Sequence, residues 1–269
     1  MATASLLVAA ATGCEGTASD LGTDDVSETV SALEGENGLT FNGLTFNGLV
    51  FNGLTFNGLT FNGLTWNGLT WNGISFNGMT FNGITFNGLG DPTVNQFVSY
   101  LVECALPEGD SVTYKIQGKK YRFKGDFGLA PEWKDGPCRG DCQRWMTACM
   151  LARLNKAGET VQISMRGPHD GLRLDKGEAK EFTKREAAYY GNMFDASDKI
   201  YACYSPGTPS IPRVCGDSLK GCPMNVVGSC DRACRDDARD GSFRDCGDRA
   251  NVNRADRVFD EIITVFLRE

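Results

Sequence analysis

Between Asn37 and Leu89 eleven Asn-Gly pairs recur every five residues, each opening a unit of the general form Asn-Gly-apolar-polar-aromatic. A period of five rules out an amphipathic helix. Five residues advance a helix by about 500°, so Leu39, Phe41 and their successors would spiral around the whole surface and leave no apolar stripe. In an extended chain Leu39 and Phe41 face one way and Thr40 the other, which makes a short strand with one apolar face. Asn42 and Gly43 then tolerate positive φ, so the chain is expected to bend after every such strand.

Two assemblies satisfy a strand-plus-corner unit. Corners that all bend in one sense coil the chain into a β-solenoid, with Leu and Phe stacked inside and each coil covering the next. Hairpin corners give a meander of tiny strands, which pair poorly and leave a Leu/Phe face uncovered. The solenoid is the preferred expectation. The unit Leu39-Thr40-Phe41-Asn42-Gly43 resembles the pentapeptide-repeat family. Over residues 37–91 that resemblance implies a right-handed four-sided β-helix, with Phe41 at the centre of a side and Gly43 closing its corner. The family usually carries a small residue two positions before the centre; here Leu, Ile or Met stands there, and Trp66 and Trp71 occupy two centres. Such volume overfills a four-sided coil, because interiors are already close-packed, and it leaves a distorted solenoid or a fibre-like stack as alternatives. The plainest reading is a duplicated low-complexity stalk with no partner of its own.

Export is written into the first fourteen residues. Ser5-Leu-Leu-Val-Ala-Ala-Ala11 is an apolar run too short to span a bilayer. The Ala11-Thr12-Gly13-Cys14 that follows it resembles the lipobox of bacterial lipoproteins, which implies that Cys14 carries lipid after cleavage. Residues 1–14 are therefore read as a lipoprotein-type signal, with membrane contact through Cys14 and a place at the bacterial cell envelope. No basic residue precedes the run, so the start of translation is expected upstream of Met1. Cysteine usage agrees with export. Of eleven cysteines, Cys14 stands apart and ten lie beyond the repeats: Cys104, Cys138, Cys142, Cys149, Cys203, Cys215, Cys222, Cys230, Cys234 and Cys246. That even number suits up to five disulfides in an oxidising compartment, with the pairing open. Zinc is the rival, with Cys230/Cys234 and Cys138/Cys142 as ligand pairs, but a single histidine and no paired CxxC argue for no metal and no cofactor.

Charge divides the chain at the same place. No Lys or Arg precedes Lys115, while residues 15–36 are acidic and rich in Ser, Thr and Gly, the composition of a flexible tether. Basic residues beyond Lys115 are interleaved with acids, which excludes a nucleic-acid footprint. Residues 92–269 form one cysteine-rich α+β domain by length and composition. The fold class is thus a β-solenoid followed by a disulfide-rich α+β domain. Within it the spacing predicts a helix over 94–105, a hairpin from Val112 to Phe123 and a helix from an Asp141 N-cap to about Lys156. It also predicts a strand at 161–165, a helix over 183–194 opened by a Thr183/Glu186 capping box, and a strand over 199–204. From Cys215 to Cys246 large apolar residues are few, so crosslinks must do what a core cannot.

The sharpest catalytic hypothesis takes Cys142 as a thiolate at a helix N-terminus, His169 as its base, and Asp170 or Asp175 to orient the imidazole. Cys138-Arg-Gly-Asp-Cys142-Gln-Arg-Trp145 resembles papain-like proteases in placing a Trp close after a cysteine, although here it is displaced by two residues and the upstream Gln is missing. The competing expectation pairs Cys142 in a disulfide and leaves His169 as a loop residue beside Pro168. Arg139-Gly140-Asp141 is a tripeptide that some adhesion receptors read, but inside a helix cap it is expected to be poorly displayed. Two functions follow. One is a lipid-anchored surface protein whose repeat stalk presents a stapled binding or adhesion head to a protein or surface polymer; the other is a secreted hydrolase or toxin. The first is preferred.

Overall fold

The structure, a computed structural model, describes residues 26–28, 39–42, 44–45 and 92–269, the last without 117, 135–137, 156–160, 175–176, 195–198, 221, 223 and 237–238. The signal segment with Cys14, most of the acidic segment, the repeats from residue 46 to 91, and Asp175 lie outside the described residues.

Three short strands come first: β1 Val26–Glu28, β2 Leu39–Asn42 and β3 Leu44–Thr45. Helix α1 (Pro92–Ala105) forms where the spacing of Phe97, Leu101, Val102 and Ala105 predicted a helix, and it buries Leu101, Val102 and Ala105. The predicted hairpin follows as β4 (Ser111–Ile116) and β5 (Lys119–Lys124), turned at Gly118 with φ 83°. Next come α2 (Asp141–Ala152), β6 (Leu154–Asn155), β7 (Val161–Arg166) and α3 (Glu178–Glu181). Then follow β8 (Lys184–Gly191), β9 (Ile200–Tyr204), α4 (Pro212–Cys215), β10 (Asn225–Ser229) and α5 (Cys230–Ala233). The chain closes with β11 (Arg235–Asp236), β12 (Phe243–Arg244), β13 (Cys246–Gly247), β14 (Val258–Phe259) and β15 (Ile263–Leu267).

A six-stranded mixed sheet in the order β10-β9-β8-β15-β7-β2 is the frame; only the β10/β9 pair is parallel. Helix α2 lies across β8 and β15, and α1 packs beside α2 and over β5. The sheet is covered on both faces. From β8, Ala187 and Tyr189 enter the core built with α1 and α2, while Ala188 and Tyr190 enter a second core with Cys230, Ala233, Cys234, Phe243, Cys246 and Phe259.

Two expectations are corrected. The β-solenoid is overturned: the described residues form a mixed sheet with few helices, and no solenoid or closed sheet occurs among them. The repeat strand Leu39–Asn42 pairs antiparallel with β7, with Phe41 opposite Gln162, and the next unit's Leu44–Thr45 pairs parallel with β6. Successive units thus take their ladder partners from residues 154–166 rather than from each other. Part of the acidic segment is likewise paired, Val26–Glu28 running parallel to β5. The helix over 183–194 is also overturned, since Lys184–Gly191 is a strand at the centre of the sheet. The capping box that suggested it never forms, because Glu186 is taken by Arg213. That guanidinium donates to the carboxylate from Nε at 3.0 Å and Nη2 at 2.6 Å, to Tyr189 at 3.1 Å, and to the carbonyl of Ala152 at 2.9 Å.

All ten cysteines beyond the repeats are paired. Cys104–Cys149 ties α1 to α2, Cys203–Cys230 ties β9 to α5, and Cys138–Cys142, Cys215–Cys222 and Cys234–Cys246 close shorter loops.

Loop closure separates these bonds. Cys104–Cys149 spans 45 residues and Cys138–Cys142 only 4. In the chain-entropy account their removal costs about 4 and about 2 kcal/mol respectively. Urea unfolding of the Cys104→Ser/Cys149→Ser and Cys138→Ser/Cys142→Ser proteins is expected to show the larger loss in the first pair, and equal losses would count against loop closure as the cause. Arg213→Met leaves the Glu186 carboxylate buried and uncompensated, so the same measurement should show a loss of about 3–5 kcal/mol.

Candidate functional site

The predicted catalytic residues do not form a common site among the described residues. Cys142 is bonded to Cys138 and buried, so its sulfur is no thiolate and no nucleophile. His169 reaches α2 through Trp145, the two rings meeting edge to face with centroids 4.9 Å apart. Its Nδ1 accepts a hydrogen bond from the Gly171 N–H at 3.0 Å, so that nitrogen cannot donate to an orienting carboxylate. Asp170 instead accepts from Arg173 Nη2 at 3.0 Å, in the open. Burial lowers the pKa of His169, against the opposing pull of Asp170 and Glu132, which favours a neutral ring. The triad is therefore not assembled. His169 caps the short turn Asp170–Leu172 and packs against Trp145.

What the start of α2 does present is the loop between the bonded cysteines. The helix begins at Asp141 with Gly140 as its cap, one residue earlier than the predicted Asp141 cap, and no side chain caps it. Gly140 sits at φ 54° and ψ −115°, close to the first central position of a type II′ turn, and the Cys142 N–H donates to the Arg139 carbonyl at 3.2 Å to close it. Arg139, Gly140 and Asp141 are all exposed, which corrects the expectation of poor display. Arg144 pairs with Asp141, yet its main anchor is Glu261, to which it donates through Nε at 2.7 Å and Nη2 at 2.9 Å. The hydrogen bond that Arg144 donates to Glu261 is the first cause of its raised pKa.

Two further clusters carry titratable or metal-binding atoms. Sulfurs of Cys203, Cys234 and Cys246 lie within 4.8 Å of one another, and those of Cys203 and Cys234 are 3.5 Å apart. Each is already in a disulfide, with Cys230 as the fourth partner, so none is a thiolate ligand in this form. Under α1, Glu103 pairs with Arg153, whose guanidinium stacks 4.0 Å from the centre of the Tyr100 ring. Asp126 adjoins that pair. Burial pushes its carboxyl up to about 7; Arg153 pulls it down, and Glu103 and Glu108 add to the rise. Sequence reading missed this group, since nothing local to Asp126 signals the charges that α1 and α2 bring to it.

No family model, no curated protein and no solved structure matches this chain.

The Asp126 shift sets a pH dependence. Its carboxyl holds a proton more tightly folded, at about 7, than at the ordinary 3.8, so the unfolded chain releases that proton first as pH rises. Stability is expected to fall between those two values and level off above them. Asp126→Asn should flatten that slope in thermal unfolding measured across the range, and an unchanged slope would reject the assignment.

Proposed function

We propose that the protein is an exported component of the bacterial cell envelope whose residues 92–269 act as a disulfide-stapled binding head. Lipid on Cys14 holds it to the membrane, and Val26–Glu28, Leu39–Asn42 and Leu44–Thr45 add short strands to the head. The observation that carries this reading is the complete pairing of ten cysteines in five disulfides, which need an oxidising compartment to form and persist. Two of the bonds sit where a second apolar core is thin, between the sheet and the segment from α5 to β14, so the head depends on them for rigidity. A rigid, crosslinked scaffold with exposed loops suits recognition, because loops carry contacts best when the frame beneath them does not move. The partner class is a protein or a surface polymer.

Alkylation of protein recovered from its native envelope, before and after reduction, tests the compartment. Residues 92–269 should take up no label before reduction and ten labels after it, and the fraction that holds the protein should release it to the soluble phase in the Cys14→Ser variant. Unpaired thiols throughout the head, with the protein in the cytosolic fraction, would overturn the proposal.

A further inference from the structure

We propose that the disulfide-closed turn Arg139-Gly140-Asp141 is the recognition loop of this head. Its partner is a protein receptor whose site offers a bound divalent cation to the Asp141 carboxylate and an acidic pocket to the Arg139 guanidinium. The inference rests on the binding-head reading above and names its contact.

Four features of the loop converge. The Cys138–Cys142 bond joins cysteines 4 residues apart, so the tripeptide is all that lies between them. Both cysteines are buried and Cys142 belongs to α2, which is itself tied to α1 by Cys104–Cys149, so the small ring stands on the core. Within it the backbone is committed: Gly140 at φ 54° takes a conformation that a side chain would strain, and the Cys142-to-Arg139 hydrogen bond closes the turn. Around Gly140 the space is open, since a Cβ built there would meet no heavy atom within 4 Å, so an approaching surface can reach the backbone.

The charges select the partner. Asp141 keeps 78 % of its side chain exposed, and a carboxylate presented this way suits a hard divalent cation. Its intramolecular partner Arg144 retains the two-point bond to Glu261, so turning Asp141 toward a cation leaves no uncompensated guanidinium. Arg139, one glycine away and exposed, carries the opposite charge and matches a carboxylate fork. A nucleic acid would accept Arg139 and repel Asp141; a free metal ion would have no use for Arg139. Only a site of both signs engages the whole tripeptide. Ring closure has already removed the chain entropy that a linear tripeptide would lose on docking, which strengthens so small a contact.

The test is surface plasmon resonance of the full-length protein over the immobilised ectodomain of an adhesion receptor that reads Arg-Gly-Asp, in manganese and then in chelator. Binding is expected in manganese, lost in chelator and displaced by a short linear Arg-Gly-Asp peptide. Asp141→Glu should weaken it about tenfold or more, with an unchanged unfolding midpoint because the side chain is exposed. No binding in manganese, or binding that survives chelator or Asp141→Glu, would overturn the inference. Disulfide content and envelope fractionation read the parent proposal independently, so a stapled, envelope-held protein that ignores the receptor would reject this loop alone.

Discussion

Strand β8 has to hide both of its faces, and most of what surrounds it follows from that requirement. Toward the helices, Ala187 and Tyr189 enter the core shared with α1 and α2, of which α2 lies across β8. Toward the other side, Ala188 and Tyr190 meet a segment whose large apolar residues are few. Tyr190, Tyr201 and Phe259 supply the ring area there, with centroids 5.6–5.7 Å apart, and two disulfides supply the rest. Cys203–Cys230 fastens the layer to β9 itself, and Cys234–Cys246 fastens the layer to its own return strand. A cover too thin to hold by burial alone is held by bonds.

Charges buried in the same frame set registry. Arg213 satisfies the Glu186 carboxylate, the Tyr189 hydroxyl and a carbonyl at the end of α2 at once, so α4, β8 and α2 have one mutual arrangement in which no donor is stranded. Apolar residues of the same size would tolerate sliding; this guanidinium does not. The Glu103–Arg153 pair joins α1 to the end of α2, beside the Cys104–Cys149 bond that fixes the same two helices.

These arrangements explain what could be read from sequence. The β4/β5 hairpin was legible because its residues alternate and Gly118 marks its turn; α1 and α2 were legible from the helical spacing of Leu101, Val102 and Ala105 and from the start signal at Asp141. Strand β8 was not, since a strand buried on both faces shows no alternation, and Thr183 with Glu186 imitates a helix start. An even cysteine count suggested full crosslinking, while the partners depended on a topology that spacing does not encode. The site was legible only as a list of residues. His169 does meet Trp145 on α2, but the Cys142 sulfur is bonded to Cys138 and the imidazole Nδ1 is turned to Gly171. Display of Arg139-Gly140-Asp141 was misjudged because a place in a helix cap does not bury side chains: Gly140 is the cap and Asp141 the first helical residue, yet all three are exposed.

The repeats pose the complementary problem. Their period specifies strands correctly, as Leu39–Asn42 shows, yet a period of five specifies a strand's faces and never its partner. The partner here is β7, which without it would expose an unpaired ladder at one end of the six-stranded sheet. Leu44-Thr45-Phe46-Asn47 repeats the sequence of the strand that docks, so side-chain chemistry does not distinguish one unit from the next at that edge. In the structure Leu39–Asn42 lies on β7 and the adjacent Leu44–Thr45 lies on β6. Two short ladders from consecutive units therefore hold this stretch of the repeats against residues 161–164 and 154–155, while the five-residue period itself leaves a shift by one whole unit chemically equivalent.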